Sequence, residues 1–276
     1  MRPLFVVARQ ESVLAVRSRW TQIFAAVFAG LALAVASSGY VLSGGHGVQD
    51  FARTAASLLQ LVLLLVPLTS ILIGVLSLAP DQGAAEILFA QPISRRTILL
   101  GKLLGLFQAL VAAQALGFGA AGLVIFSQSG GDGLAGFLIL FAASMALTAV
   151  FLGLAALLAA TAIGRRRTRA LALALVVWFV AVVLFDVIAL GLASLLPSGP
   201  ASRVLIVGVL VNPVDAVRTA ALLGIEGTGA FGAGSLALLR FTRGAWGAAA
   251  LLALSLGVWI VAPTLGAIAR LRRCDV

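Results

Sequence analysis

Apolar residues gather into six long runs, at about 22–42, 54–79, 98–127, 134–163, 170–196 and 246–268, and short segments between them hold most of the charge. A helix rising ~1.5 Å per residue needs about 20 residues to cross ~30 Å of hydrocarbon. Every run reaches that length. The pattern predicts an all-α membrane protein with six transmembrane helices, organised as one transmembrane domain over 1–276. Residues 4–19 mix apolar and basic positions and predict a helix lying at the membrane surface before the first span.

A second departure from plain spans is the stretch from Pro197 to about Ala245, far longer than a connector requires. It reads as an ordered insertion. Asn212 can cap a helix that starts at Pro213, Asp215 suits its first turn, and Gly224 can end it. The glycines from Gly227 to Gly234 then read as a bend, and Leu236–Phe241 as a further turn or two of helix. Asp215 and Arg218 stand at helical spacing, and Asn212, Pro213, Asp215 and Arg218 are expected to order a docking surface for a partner outside the membrane without burying it.

Composition agrees with the runs: 62% of residues are hydrophobic and 10% charged, too few charges to cover a soluble surface. The formal charge of +10 could suggest nucleic acid, but the basic residues sit at the ends of apolar runs and form no stripe. One set of flanks holds Arg2, Arg9, Arg17, Arg19, Arg95, Arg96, Lys102, Arg165, Arg166, Arg167, Arg169, Arg270, Arg272 and Arg273. The other holds only Arg53, Arg203, Arg218, Arg240 and Arg243. The positive-inside rule then places both termini in the cytoplasm, with Trp20 as an interfacial anchor. Charges at Arg9, Glu11, Arg17 and Arg19 interrupt the start of the chain, so it is not expected to be a cleavable signal peptide.

Candidate chemistry within the chain is sparse. Cys274 is the sole cysteine, His46 the sole histidine, and Met1 and Met145 the two methionines, so no ladder of soft ligands crosses the membrane and no metal site is expected. Gly101-Lys102 is not a phosphate-cradling loop, because the upstream glycine is missing and Leu103 stands where a magnesium-binding hydroxyl belongs. Leu42-Ser43-Gly44-Gly45 imitates the signature of cassette ATPases but lies on the outer side, with no phosphate loop in the chain. Neither a His-Glu-x-x-His nor a Gly-x-Ser-x-Gly pattern occurs. An enzyme is therefore the weaker reading, and any ATP use must come from another subunit. Asp186 is the one acid well inside a span, a functional candidate or a plain hydrogen-bond partner of a neighbouring helix, with no Lys or Arg deep in the membrane to offer a relay.

The clearest positive signal lies between the second and third spans. Asp81 can cap a short helix that carries Glu86 and an apolar end of Ile87, Leu88 and Phe89. Pro92 stops it, and Ser94 can cap the third span ahead of Arg95 and Arg96. Gly101 and Gly105 give that span a small-xxx-small start. This segment, with Gln91-Pro92-Ile93-Ser94-Arg95 and Gly101-Lys102-Leu103-Leu104-Gly105, resembles the coupling region of the exporter-type (type-two) permeases of ATP-binding-cassette transporters. In this chain Asp81 and Glu86 bracket Gln82-Gly83-Ala84-Ala85, where that family often has a glutamate-rich run.

The resemblance implies that Asp81, Glu86, Ile87, Leu88, Phe89, Arg95 and Arg96 couple the permease to cytoplasmic ATPase subunits. Asn212-Pro213-Val214-Asp215-Ala216-Val217-Arg218 narrows it to the permeases that serve nitrous oxide reductase maturation. That implies a homodimer bearing two ATPase subunits and a periplasmic β-helical partner, acting in assembly of the reductase copper centres. Two other readings stand beside it: a general exporter of lipid, drug or peptide, and a stand-alone secondary transporter or membrane enzyme.

Overall fold

The computed structural model describes residues 2–41, 47–79, 93–129, 133–161, 167–226 and 233–273, and the regular elements among them are all helices. In chain order these are α1 (Arg2–Arg17), α2 (Arg19–Val41), α3 (Gly47–Leu78), α4 (Arg95–Ser129), α5 (Leu134–Thr161) and α6 (Arg167–Phe179). A π-helical turn, Val180–Leu184, joins α6 to α7 (Phe185–Ser194). Then come α8 (Ser198–Val211), α9 (Pro213–Glu226), α10 (Ala233–Thr242) and α11 (Ala245–Arg273).

Six stretches are long and apolar enough to cross a membrane: Arg19–Ser38, Thr54–Leu78, Arg95–Ser127, Leu134–Thr161, Arg167–Ser194 and Ala245–Arg272. They coincide with the six sequence runs to within a few residues. The predicted surface helix is α1, which ends at Ser18 with a tight turn from the Ser18 amide to the Ala15 carbonyl, 3.1 Å. Lipid tails are as apolar as leucine, so small residues that admit close packing hold such spans together. A Cβ on Gly117 would stand 2.4 Å from the Phe28 ring, and one on Gly74 would stand 2.6 Å from Ala155 Cβ. Phe24, Phe28, Phe118 and Phe137 form a chain of tilted and edge-on rings, with centroids 5.5–5.6 Å apart, through α2, α4 and α5. Midway, the Gln114 side-chain amide donates to Thr148 Oγ1 at 2.8 Å, joining α4 to α5 in the buried core.

Burial is uneven. In the most apolar stretches of α3, α4 and α5 half or more of the residues are buried, whereas in that of the fifth span only 6% are, leaving Leu173, Val176, Phe179, Val183 and Val187 outward. The core is thus built by the second to fourth spans, with α1, α2, α9 and α11 packed on α4 and α5.

The insertion differs from its sequence reading. It begins with a helix the apolar pattern did not mark as an element, α8, which meets α9 at 97° across Asn212. Each limb has 14 residues, so it rises about 21 Å and cannot cross the hydrocarbon alone. With that bend the pair is a helical hairpin and not a straight span. Gly224 does not end α9, which continues to Glu226, because the local glycine signal yields to packing: Ile139 of α5 sits 2.8 Å from a Cβ built there. The expectation that α9 would be ordered without being buried is also corrected. Val214, Ala216, Val217 and Ala221 pack inward and Asn212, Asp215 and Thr219 are buried with them.

Candidate functional site: polar joints at the two ends of the bundle

The first joint seats α1 on α4. A Cβ on Gly105 would lie 2.4 Å from the Ala8 carbonyl oxygen and 2.8 Å from the Ser12 amide nitrogen. One on Gly101 would lie 2.8 Å from Val7 and 3.1 Å from the Leu4 carbonyl oxygen. The small-xxx-small pair is therefore the groove in which the surface helix lies. Between the glycines, Lys102 projects to Glu11 of α1, Nζ to Oε2 3.1 Å, with Glu11 almost wholly buried. The Ser77 hydroxyl donates to the other Glu11 oxygen.

That bond brings in the end of α3. Helix C-termini leave carbonyls without intrahelical partners, and cations satisfy them best. Lys102 Nζ donates to the Ser77 carbonyl at 3.1 Å, and Arg167 of α6 donates to the Leu76 carbonyl. Four helices, α1, α3, α4 and α6, thus meet within one turn of Ala79, where the chain leaves toward residues 80–92. Arg95 extends the joint to α11 through a 3.0 Å bond to the Leu271 carbonyl, and Arg96 stays exposed. Ser94 caps α4 as expected, its hydroxyl accepting from the Thr97 amide at 3.2 Å. The other coupling candidates, Asp81, Glu86, Ile87, Leu88 and Phe89, lie outside the described residues, as do His46 and Cys274.

The second joint lies at the other end of the fifth span. Arg218 of α9 reaches Asp186 of α7 with an Nη1 to Oδ2 distance of 2.6 Å, and the same nitrogen lies 2.9 Å from Asp215 Oδ1. The cation that pairs Asp186 comes from the hairpin that follows the fifth span, not from another of the six spans. Two carboxylates share one guanidinium, and Asn212 supplies the remaining donors. Its side-chain amide gives 3.0 Å to Asp215 Oδ2 and 2.8 Å to the Ala181 carbonyl, while its Oδ1 caps α9 by accepting from the Val214 amide at 3.1 Å.

Ala181 belongs to the π-turn, where the wider helical winding loosens the usual carbonyl pairing. One asparagine therefore fixes the hairpin bend and ties it to the irregular turn of the fifth span. On the hairpin's other limb, the Ser255 hydroxyl of α11 donates 2.6 Å to the Leu210 carbonyl in the last turn of α8. Asn212→Ala is expected to lower stability by about 1–2 kcal/mol, read as a lower melting temperature in detergent. Asn212→Ser, which keeps a cap but cannot reach Ala181, should fall between the variant and the parent.

Of the expected site residues, Asp186, Asn212, Asp215 and Arg218 are brought into one cluster, and Pro213 opens the helix that carries Asp215 and Arg218. Glu11, Ser77 and Arg167 went unnoticed as functional candidates. Their one available signal was Glu11, an acid in an otherwise basic surface helix. Among the described residues no group of three or more His, Cys, Asp or Glu side chains is placed to hold a metal ion.

Comparison with known proteins places residues 5–276 in a match to the family described as ABC-2 family transporter protein. Two curated relatives both carry the name "Probable ABC transporter permease protein NosY". The protein from Stutzerimonas stutzeri is 33% identical over 235 residues, covering 83% of this chain and 84% of its own length. The one from Pseudomonas aeruginosa is 31% identical over 243 residues, covering 86% and 88%.

Proposed function

We propose that this chain, which belongs to the ABC-2 family of transporter proteins, is a permease subunit that passes ATP-driven motion from cytoplasmic ATPase subunits to a partner on the far side of the membrane. The observation that carries this is the clamped end of α3. The chain enters residues 80–92 from a helix whose last carbonyls are held by Lys102 and Arg167 and whose Ser77 is bound to Glu11. A push on that segment cannot be absorbed locally, because α1, α4 and α6 share its polar contacts.

On this reading Asp81, Glu86, Ile87, Leu88 and Phe89, with Arg95 and Arg96, face the ATPase, which binds ATP and magnesium. The permease itself needs no cofactor. The termini lie in the cytoplasm, on the side with most of the basic flanks. At the other end Asn212, Pro213, Asp215 and Arg218 serve partner docking by fixing the angle of the hairpin, since their own side chains are largely occupied within the chain. The similarity to two proteins named NosY supports the finer assignment: a homodimeric permease with two ATPase subunits and a periplasmic β-helical partner, serving maturation of the nitrous oxide reductase copper centres. The thinly buried fifth span leaves an apolar face available to a second copy.

Deleting the gene and assaying copper in nitrous oxide reductase tests that assignment. Copper-deficient reductase, restored by the wild-type gene, is the expected result; fully metallated reductase in the deletion strain would direct the function to another exported cargo. The purified permease alone should show no ATP binding or hydrolysis, checked with a fluorescent nucleotide and phosphate release. Copper titration should likewise find no tight stoichiometric site, since copper(I) seeks thiolate, thioether or imidazole ligands and Met145 is the one such side chain among residues 2–41, 47–79, 93–129, 133–161, 167–226 and 233–273.

A further inference from the structure

A cavity of about 310 Å³ opens beside the first joint, on the side of the protein with most of the basic flanks, under the turn between α1 and α2. Its apolar walls are Leu14, Ala15, Ile73, Leu76 and Leu106, and its polar groups are Glu11, Ser18, Thr21, Ser77, Lys102 and Arg167, with Trp20 also lining it. The charges are two cations and one carboxylate, so the lining carries a net positive charge. Thr21 is only 3% exposed and its hydroxyl has no hydrogen-bond partner in the protein. An unpartnered buried hydroxyl is costly, and a rotation of the Thr21 side chain toward this polar-lined cavity would let a ligand oxygen relieve it.

The outer edge of the cavity distinguishes between ligands. Leu14 and Trp20 are exposed there, and Trp20 begins a row of outward apolar residues on α2, continuing with Ile23, Val27 and Leu31. Their spacing of three or four residues puts them on one face of the helix. The row rises about 16 Å along the axis, a length suited to an acyl chain. A soluble anion would have no use for that track. Arg17 and Arg19, exposed at the same turn, add positive charge near the opening.

We propose that this cavity binds the phosphate-bearing headgroup of an anionic phospholipid from the adjoining leaflet, with its acyl chain along Trp20, Ile23, Val27 and Leu31. Lys102 and Arg167 supply the positive charge, and Thr21 supplies a hydroxyl to a phosphate or glycerol oxygen. The bound lipid would brace α1 against the bundle at the point where it is seated on α4.

Native mass spectrometry of the full-length protein, purified with its ATPase subunits when these are co-expressed, tests the site with phosphatidylglycerol and phosphatidylcholine as probes. Phosphatidylglycerol should be retained preferentially. Arg167→Gln should lower its retention about fivefold, the worth of one basic residue near an anionic surface. Thr21→Val, which keeps the shape and removes the hydroxyl, should lower it by a smaller factor, and decides the matter if Arg167→Gln does not fold. Equal retention of the two lipids, or phosphatidylglycerol retention unchanged in Thr21→Val, would overturn the proposal. Displacement of the lipid by millimolar inorganic phosphate would also overturn it, by assigning the cavity to a soluble anion.

Discussion

Gly105→Leu is expected to abolish ATP-driven function while leaving the spans inserted. The Cβ alone would meet the Ala8 carbonyl oxygen and the Ser12 amide nitrogen, and neither is a flexible side chain that can swing away. Overpacking of this kind costs about 1–3 kcal/mol when neighbours can shift. Here the neighbour is the backbone of α1, so the economical response is for the whole helix to lift off α4. Lifting it separates Glu11 from Lys102 and Ser77, and the end of α3 loses part of its clamp. The expected readout is at least about a tenfold fall in permease-dependent ATPase stimulation, from an uncoupling near 1.4 kcal/mol. Leu33→Ala, on the exposed face of α2 away from this groove, should have little effect. Full stimulation in Gly105→Leu would show that α1 has no part in coupling.

Arg218→Leu should produce the largest loss of stability at the other joint. It removes the cation shared by Asp186 and Asp215, leaving an acid in a span with no counter-charge. A carboxylate at the centre of a transmembrane helix costs about 2.5–3.5 kcal/mol on insertion scales. With Asp186 about one-third exposed, the lower end of that range is the appropriate expectation. Asp186→Asn in the Arg218→Leu background should recover part of the loss, because the amide removes the unpaired charge. Asp186→Asn alone should cost less than Arg218→Leu, since Asp215 still holds the guanidinium at 2.9 Å. Thermal unfolding in detergent measures all three. Additive losses, without recovery in the double variant, would show that Arg218 acts independently of Asp186.

The spans were legible in the sequence because the bilayer sets a length requirement on each helix separately, which no tertiary contact is needed to meet. The caps at Ser94 and Asn212 were legible for a similar reason, each being a bond to an amide two or three residues away. The joints were not. Glu11 and Lys102 lie on helices brought together by glycines whose spacing is common by chance in an apolar chain. Asp186 and Arg218 are 32 residues apart and meet through a hairpin whose limbs are too short to register as a span. The π-turn at Val180–Leu184 has no local signature, since all five residues are aliphatic and suit an ordinary α-helix equally well.

The central claim is that the two joints are ends of one transmission path, and it can be read from a single site. Leu236 on α10, the helix after the hairpin, is exposed, so a Leu236→Cys, Cys274→Ser protein can carry an environment-sensitive fluorophore there. In the reconstituted complex with its ATPase subunits, magnesium ATP should change the fluorescence of this label, and Gly105→Leu should abolish the change while ATP still binds. No response to ATP in the intact complex, or an undiminished response in Gly105→Leu, would contradict transmission through the α1–α4 joint.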